Sequence, residues 1–294
     1  MTSITTTAGS PSLVLALSCP DTTGIVAAVS GFLAARHYCI SEAQHYNDPS
    51  SVTSFMRTVF HATPQAQVPQ AQIEREFKAE VADRFAMNYR FHQGSRKCPV
   101  LLAVSRHGHC LNSLLHRWST GTLPIEVVGV VSNHQDMRSL AEWHGVEYHY
   151  LPVIQGRKSD QEARLSQAFE RSGAELLVLA RYMQILSADA CEHFNGRAIN
   201  IHHSFLPGFK GARAYHQALE RGVKLIGATA HYVTTDLDEG PIIEQDVERV
   251  DHTLSAEELT VTGSEIESKV LNRAIKWHAE HRVFRNGNRT VVLR

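Results

Sequence analysis

The hydrophobic and polar positions of the first 92 residues predict a small domain that mixes strands and helices. The run LVLALS at 13–18 predicts a strand, PDTTG supplies a turn and a helix N-cap, and IVAAVSGFLAAR carries apolar residues at helical spacing. Two β-rich runs follow near 39–46 and 52–61, separated by the turn signal NDPSS, and then a helix near 69–85 and a strand near 87–92. This βαββαβ order predicts a ferredoxin-like fold.

After the polar, turn-rich segment HQGSRKCP at 92–99, the pattern changes to short apolar strands separated by helices: VLLAVS, IEVVGVVS, VEYHY, ELLVLA and RAINIH. Such an alternation predicts a mostly parallel, Rossmann-like sheet. We therefore predict an α/β protein with domains at 11–92 and 98–294. An amphipathic helix near 255–281 is predicted to pack on this sheet or on a partner subunit.

Composition narrows the function classes. The formal net charge of the 294 residues is −1, without a basic block, which disfavours nucleic acid and anionic membranes as partners. The first basic residue is Arg36 and no apolar run approaches the ~18 residues of a membrane span, so we expect a cytoplasmic protein. The five cysteines are scattered and form no C-x-x-C pair, which predicts reduced thiols.

The first candidate site follows the predicted strand RAINIH, in the stretch NIHHSFLPGFKG at 200–211. Ligands of open α/β sheets bind beyond the carboxyl ends of the strands. Alternation along the strand places Asn200 and His202 on one face and directs His203 to the other. A histidine at a strand end is also often only a hydrogen-bonded polar group, so this motif alone does not establish a site.

The second candidate is HYVTTDLDEGPIIEQ at 231–245, where His231, Asp236, Asp238 and Glu239 crowd one loop. Acidic residues in turns are commonly solvated or bonded to their own backbone. Together, however, the two motifs supply a carboxylate that orients a histidine and an amide that donates to an oxyanion, as acyl transfer without a covalent intermediate requires. The sequence has no G-x-S-x-G, no H-E-x-x-H and no cysteine cluster, so we predict neither a serine nucleophile nor a catalytic metal.

These two motifs, in this order and spacing, resemble the folate-dependent formyltransferase family, and LSCPDTTGIVAAVSGFL resembles an ACT domain. Together with SRHGHCLNSLL, VSNH, ARYMQILS and NGNRTVVL, they resemble the formyltetrahydrofolate deformylase family along nearly the whole chain. The resemblance implies that Asn200, His202 and Asp238 are catalytic. It also implies hydrolysis of 10-formyltetrahydrofolate to tetrahydrofolate and formate, with folate and water as the reactants and no cofactor.

The same resemblance implies a folate pocket. Its expected residues lie in ARYMQILS and in the acidic loop, with His231 lining the cavity: Met183, Gln184, Ile185, Leu186, Thr235 and Asp236. Ordinary packing at the sheet edge is the alternative for any single one of them. Gln184 stands where the transferases commonly carry arginine, so its role stays open.

One departure from the transferases concerns the acceptor. They place a glycine-rich, phosphate-binding loop after the first strand of this domain, whereas SRHGHCLNSLL has one glycine and two histidines. A phosphorylated acceptor is therefore disfavoured, and water is favoured. A formyltransferase with another acceptor stays a rival, because the three catalytic residues do not distinguish water from an amine. An amino-acid-binding protein on an inactive scaffold is disfavoured, because all three residues are present.

The ACT resemblance implies regulation by an amino acid, with Asp21 and Gly24 as effector-binding candidates; an N-cap and a turn glycine are the alternative roles. It also implies a homo-oligomer. The deformylase resemblance implies a physiological role in balancing formyl-folate and free folate and in supplying formate for purine synthesis.

Overall fold

The structure is a computed structural model that describes residues 12–66, 70–208 and 214–294. The chain divides into two compact units. The first comprises the residues up to Arg96 together with 280–286 and 291–294, and the second comprises 97–279 and 287–290. The predicted domain start at residue 11 lies outside the described residues, as do positions 209–211 of the NIHHSFLPGFKG motif.

The first unit contains a four-stranded antiparallel sheet in the order β2-β3-β1-β4. Its elements follow one another as β1 (Leu13–Pro20), α1 (Ile25–Ala35), β2 (Tyr38–Asp48), β3 (Thr53–Ala62), α2 (Gln70–Phe77) and β4 (Asn88–Gln93). One π turn at Lys78–Ala82 and one 3-10 turn at Asp83–Phe85 continue α2. The predicted ferredoxin-like βαββαβ order is confirmed.

The two helices bury their apolar residues on one face of this sheet. Leu15, Phe60 and Phe77 are fully buried, and the rings of Phe32 and Phe77 meet edge to face with centroids 5.3 Å apart. Edge-to-face aromatic contacts add to the stabilisation that burial of apolar area provides. This core accounts for the apolar periodicity of the first 92 residues.

The C-terminal residues join the first unit through specific contacts. Arg57, buried on β3, donates from Nε to the carbonyl of Glu280 (2.9 Å), and the rings of Phe55 and Phe284 lie 5.7 Å apart. Asn286 donates to a carboxylate oxygen of Asp48 (2.6 Å). Two short strands, β12 (Val283–Asn286) and β13 (Arg289–Val292), form a hairpin here.

The second unit contains a seven-stranded sheet in the order β11-β10-β9-β8-β5-β6-β7. Its strands are β5 (Cys98–Val104), β6 (Ile125–Ser132), β7 (Tyr148–Tyr150), β8 (Leu176–Leu179), β9 (Ala198–His202), β10 (Leu225–Tyr232) and β11 (Ile242–Arg249). Its helices are α3 (His109–Ser119), α4 (Arg138–Trp143), α5 (Lys158–Ser172), α6 (Ala188–His193), α7 (Ala214–Glu220) and α8 (Ala256–Ala279).

The five strands β5 to β9 are parallel, and β10 and β11 extend the sheet in antiparallel pairing. The predicted mostly parallel, Rossmann-like α/β fold is therefore confirmed. Helix α8 packs against β10, β11 and α3 through buried residues such as Ile266, Val270 and Leu271. Strand β9 is an interior strand parallel to β8, so its carboxyl end lies at the edge of the sheet where ligands bind in such folds.

Within the described ranges, no helix combines the length and the hydropathy that a membrane span requires.

Candidate active site

The candidate site begins with the antiparallel pairing of β9 and β10, which places His231 directly opposite Asn200. Residues directly opposite one another on neighbouring strands bring their side chains together. Accordingly, Nδ2 of Asn200 lies 3.2 Å from Nε2 of His231. The sheet register thus links the NIHH motif to the HYVTT motif.

The hydrogen bonds of His231 determine how Asn200 is oriented. Nδ1 of His231 lies 2.9 Å from the carbonyl oxygen of Tyr232, and a carbonyl only accepts, so Nδ1 carries the hydrogen. Burial lowers the pKa of His231, which keeps the ring neutral and leaves Nε2 to accept from Asn200. One Nδ2 hydrogen of Asn200 is used in this bond, and the other is left for a ligand.

Asp238 lies in the loop that joins β10 to β11, in a backbone conformation that is rare for a residue other than glycine (φ 58°). Two residues later, a Cβ on Gly240 would lie 1.7 Å from the carbonyl oxygen of Tyr232, so only glycine fits there. This tight turn between β10 and β11 brings Oδ1 of Asp238 to 3.3 Å from Nδ1 of His202. The two motifs therefore form one histidine–carboxylate pair.

The charge state of Asp238 follows from its neighbours. Burial acts to raise the pKa of its carboxyl group, but the hydrogen bond and the charge of His202 outweigh burial, with a smaller contribution from His231. The net effect lowers the pKa, so Asp238 is ionised at neutral pH. An ionised carboxylate beside a histidine can orient its ring and stabilise an imidazolium.

A cavity of about 290 Å³ opens beside this pair. Its walls include the three predicted catalytic residues and all of the predicted pocket residues: Asn200, His202, Asp238, Met183, Gln184, Ile185, Leu186, Thr235, Asp236 and His231. Met183 and Ile185 are exposed (46% and 62%), and so they offer apolar surface to a ligand. The side chain of Gln184 donates to the carbonyl of Met183 (2.7 Å).

Buried polar residues fix the position of the segment at 181–183, which lines this cavity. The Oγ of Ser105, at the end of β5, donates to Oδ1 of Asn133 (2.7 Å) and accepts from the backbone N–H of Met183 (2.9 Å). The backbone N–H of Ser105 also donates to the carbonyl of Arg181 (3.2 Å). The segment at 181–183 is thereby tied to the carboxyl ends of two parallel strands.

Among the cavity residues that were not predicted from the sequence are two that can carry charge, Arg181 and His203. Arg181 lies two residues after the end of the buried strand β8, and a charged residue so near a carboxyl strand end could have indicated a site residue. Alternation directed His203 to the face opposite Asn200, but β9 ends at His202, so the alternation does not extend to the next residue. His203 lines the same cavity as Asn200 and His202.

Arg181 also belongs to a buried group of charged and polar side chains, which we call the Glu267 cluster: Glu267, His109, Tyr215 and Arg181. The carboxylate of Glu267 is 1% exposed and lies 2.7 Å from Nε2 of His109, 2.6 Å from the hydroxyl of Tyr215 and 3.4 Å from Nε of Arg181. Burial acts to raise the pKa of Glu267, but these partners outweigh burial and lower it.

Cys110 brings a third potential metal ligand to the Glu267 cluster, since its Sγ and the ligand atoms of His109 and Glu267 lie within 4.8 Å of one another. Burial, however, raises the pKa of the Cys110 thiol well above its usual range, which disfavours the thiolate that metals bind. Arg181 and Tyr215 already engage the carboxylate. The arrangement therefore fits an internal ion-pair network better than a metal site.

The two effector candidates lie in the first unit. Gly24 is the N-cap residue of α1, with φ 97° and no side-chain cap. Asp21 does not cap that helix: its Oδ1 accepts a hydrogen bond from Ser54 Oγ (2.8 Å), and its backbone N–H donates to the carbonyl of Val52. The carboxylate of Asp21 is exposed.

Residues 99–275 match the formyl transferase family. The chain belongs to this family. Within it, relatives that are similar over nearly the whole chain include deformylases. A formyltetrahydrofolate deformylase of Corynebacterium sp. (strain P-1) is 50% identical, over 96% of this chain and 98% of that protein. One from Bacillus subtilis (strain 168) is 45% identical, over 95% and 93%.

Solved structures agree with the sequence relatives. The formyltetrahydrofolate deformylase of Burkholderia mallei superimposes with a TM-score of 0.91 at 50% identity and covers 97% of this chain and 100% of that one. Glycinamide ribonucleotide transformylase 1 of Symbiobacterium toebii gives a TM-score of 0.65 at 32% identity and covers 69% of this chain and 96% of that one. The similarity to the deformylase thus extends over more of this chain than the similarity to the transformylase.

Proposed function

We propose that this protein hydrolyses 10-formyltetrahydrofolate to tetrahydrofolate and formate. The observation that carries the proposal is the convergence of Asn200, His202 and Asp238 on one cavity with an apolar wall. Deformylases that are similar over nearly the whole chain support it.

In the proposed reaction, water attacks the formyl carbon, positioned by Asp238 and His202. The water oxygen forms its bond to that carbon, and Asn200 donates its remaining Nδ2 hydrogen to the oxyanion. The bond between the carbon and N10 then breaks, and His202 passes a water proton to the departing amine. The second proton leaves to solvent as formic acid becomes formate, so atoms and charge balance.

Water as the acceptor is supported by the region after β5. Residues 109–115 of the segment SRHGHCLNSLL form the start of α3, and His109 is bonded to Glu267 rather than free to face a phosphate. This histidine is therefore not available to a phosphorylated acceptor.

The test is to incubate the purified protein with 10-formyltetrahydrofolate and no acceptor, and to follow tetrahydrofolate and formate together. We expect both products in equal amounts. Folate binding without release of formate would contradict hydrolysis and would favour a formyltransferase, whose acceptor site would then be sought at 105–115.

We also propose that the first unit is an ACT domain that binds an amino acid near Asp21 and Gly24 and regulates the enzyme. The exposed carboxylate of Asp21, beside the N-terminus of α1, supports this placement, because it can accept from an α-amino group. A ligand regulates only if it binds one state of the protein better than another. Calorimetry with the common amino acids checks the proposal, and no binding at millimolar concentrations would contradict it.

Two further parts of the proposal follow from the ACT and deformylase resemblance. The enzyme is a homo-oligomer, which sedimentation equilibrium tests directly. It balances the pools of formyl-folate and free folate and supplies formate for purine synthesis. A deletion strain that accumulates 10-formyltetrahydrofolate and needs added purine or formate is the expected phenotype, and normal folate pools in that strain would contradict it.

A further inference from the structure

His203, the second histidine of the NIHH motif, has no part in the chemistry proposed above. It is buried (7% exposed) and lines the cavity of Asn200 and His202. The centroid of its ring lies 5.1 Å from that of His202, with the two planes tilted by 35°. One small molecule in the cavity can therefore contact both rings.

The groups that act on His203 come from the last residue of β9 and from four other segments: His202, Arg181, Glu267, Asp238 and Tyr215. Burial, followed by the charge of Arg181, lowers the pKa of His203 to about 4. At neutral pH the ring is therefore uncharged and keeps one nitrogen that accepts a hydrogen bond.

We propose that His203 holds the attacking water and thereby selects water over other acceptors. This inference rests on the proposed hydrolysis. Asp238 and His202 supply one acceptor to the water, and His203 supplies a second. Water fits between two acceptors because it has two hydrogens and no further substituent, whereas a larger acceptor must displace the His203 ring.

Hydroxylamine, a small nucleophile, makes this selection measurable. When water attacks, the formyl carbon bonds to oxygen, N10 leaves with a proton, and the product is formate. When hydroxylamine attacks, the carbon bonds to nitrogen instead, N10 again leaves with a proton, and the product is N-hydroxyformamide. Tetrahydrofolate is the common product, so the ratio of the two formyl products reports the choice of nucleophile.

The experiment compares the unmodified enzyme with His203→Ala, with and without hydroxylamine. We expect His203→Ala to lower kcat for formate release by roughly 10- to 30-fold, the effect of one lost hydrogen bond to a reacting group. KM for the folate should change less than about threefold, since the residue acts on water rather than on folate. The ratio of N-hydroxyformamide to formate should rise at least about fivefold.

His216→Ala is the matched control, because His216 is an exposed histidine of α7 that lines neither this cavity nor the one beside Tyr215. Its kcat and product ratio should equal those of the unmodified enzyme. His203→Asn keeps a donor and an acceptor close to the backbone and should recover part of the lost formate release, which also distinguishes a lost hydrogen bond from misfolding.

The outcomes separate this inference from the proposed function. A His203→Ala enzyme with normal formate release, or with slower release and an unchanged product ratio, would overturn the role of His203 alone. If the unmodified enzyme released no formate, the proposed hydrolysis and this inference would both fail. Slower formate release with a raised ratio, reversed in part by His203→Asn, supports the inference.

Discussion

Two histidine–carboxylate groups of the second unit, each with a buried carboxylate, have different surroundings. In the first, Asp238 lies 3.3 Å from His202, and both line an open cavity. In the second, Glu267 has three partners within its own cluster, His109, Tyr215 and Arg181, and is 1% exposed. Both carboxylates have a lowered pKa. The side-chain chemistry is thus similar. We expect the cavity beside Asp238 to make the first pair reactive, whereas the ion pairs of Glu267 make the second group structural.

We expect the largest effect from removing the negative charge of the His202–Asp238 pair. Asp238→Asn cannot stabilise a positive charge on His202, so we expect kcat to fall by about 10² to 10⁴ with little change in KM. Steady-state kinetics with 10-formyltetrahydrofolate measure both constants. Because Asp238 borders a cavity, urea unfolding should show only a small loss of stability. An unchanged kcat with a much weaker affinity would contradict the assigned role.

In the Glu267 cluster, loss of the carboxylate should instead lower the stability of the protein. Glu267→Ala leaves the cation of Arg181 without its buried partner, which typically costs about 3–5 kcal/mol of unfolding free energy. Urea denaturation measures the loss. The control is Glu267→Ala combined with Arg181→Met, which removes both charges and should recover most of the stability. If the double variant were as unstable as the single one, an unpaired charge would not be the cause.

A third change, two residues after Asp238, alters the geometry of the His202–Asp238 pair. Gly240→Ala places a Cβ against the carbonyl of Tyr232, so the loop must shift, and Asp238 shifts with it. A displacement of about 1 Å at a catalytic group can cost on the order of 10²-fold in rate, which we expect in kcat. Gly31→Ala, on α1 with open space around its Cβ, is the control and should leave kcat unchanged. Equal kcat values for the two variants would argue against this placement of Asp238.

The smallest expected effect, taken per pH unit, concerns two histidines: His203, whose pKa both groups influence, and the partly buried His278. Burial lowers the pKa of each to about 4, against about 6.5 in an unfolded chain. The unfolded state therefore binds more protons between these values. Stability should be fully present above about pH 6.5 and fall as the pH drops toward 4, by at most about 1.4 kcal/mol per pH unit for each histidine.

Urea unfolding at several pH values from 7.5 to 4.5 measures that slope. His278→Gln, which keeps an acceptor for the hydroxyl of Tyr232, should reduce it by about half. A flat profile across this window would mean that the two histidines titrate normally in the folded protein.

The outcome at individual residues shows where sequence reasoning succeeds. Asn200 and His202 were predicted to share a face because alternation is a local property of a strand, and β9 extends through both of them. His203 lines the cavity of Asn200 and His202 and also the one beside Tyr215, because the strand ends at His202 and alternation no longer fixes the direction of the next side chain. The resemblance drew Asp238 and the residues at 183–186 into the site, and the structure places them on one cavity wall.

The sequence by itself determined the periodic elements, the two sheet types and the two motifs, because spacing and turn residues act through neighbouring positions in the chain. Only the tertiary structure decided which side chains meet. The register of β9 against β10 pairs Asn200 with His231, and the packing of α8 brings Glu267 to Arg181. Contacts between residues far apart in the chain depend on how whole elements pack, and no local pattern of apolar and polar positions contains that information.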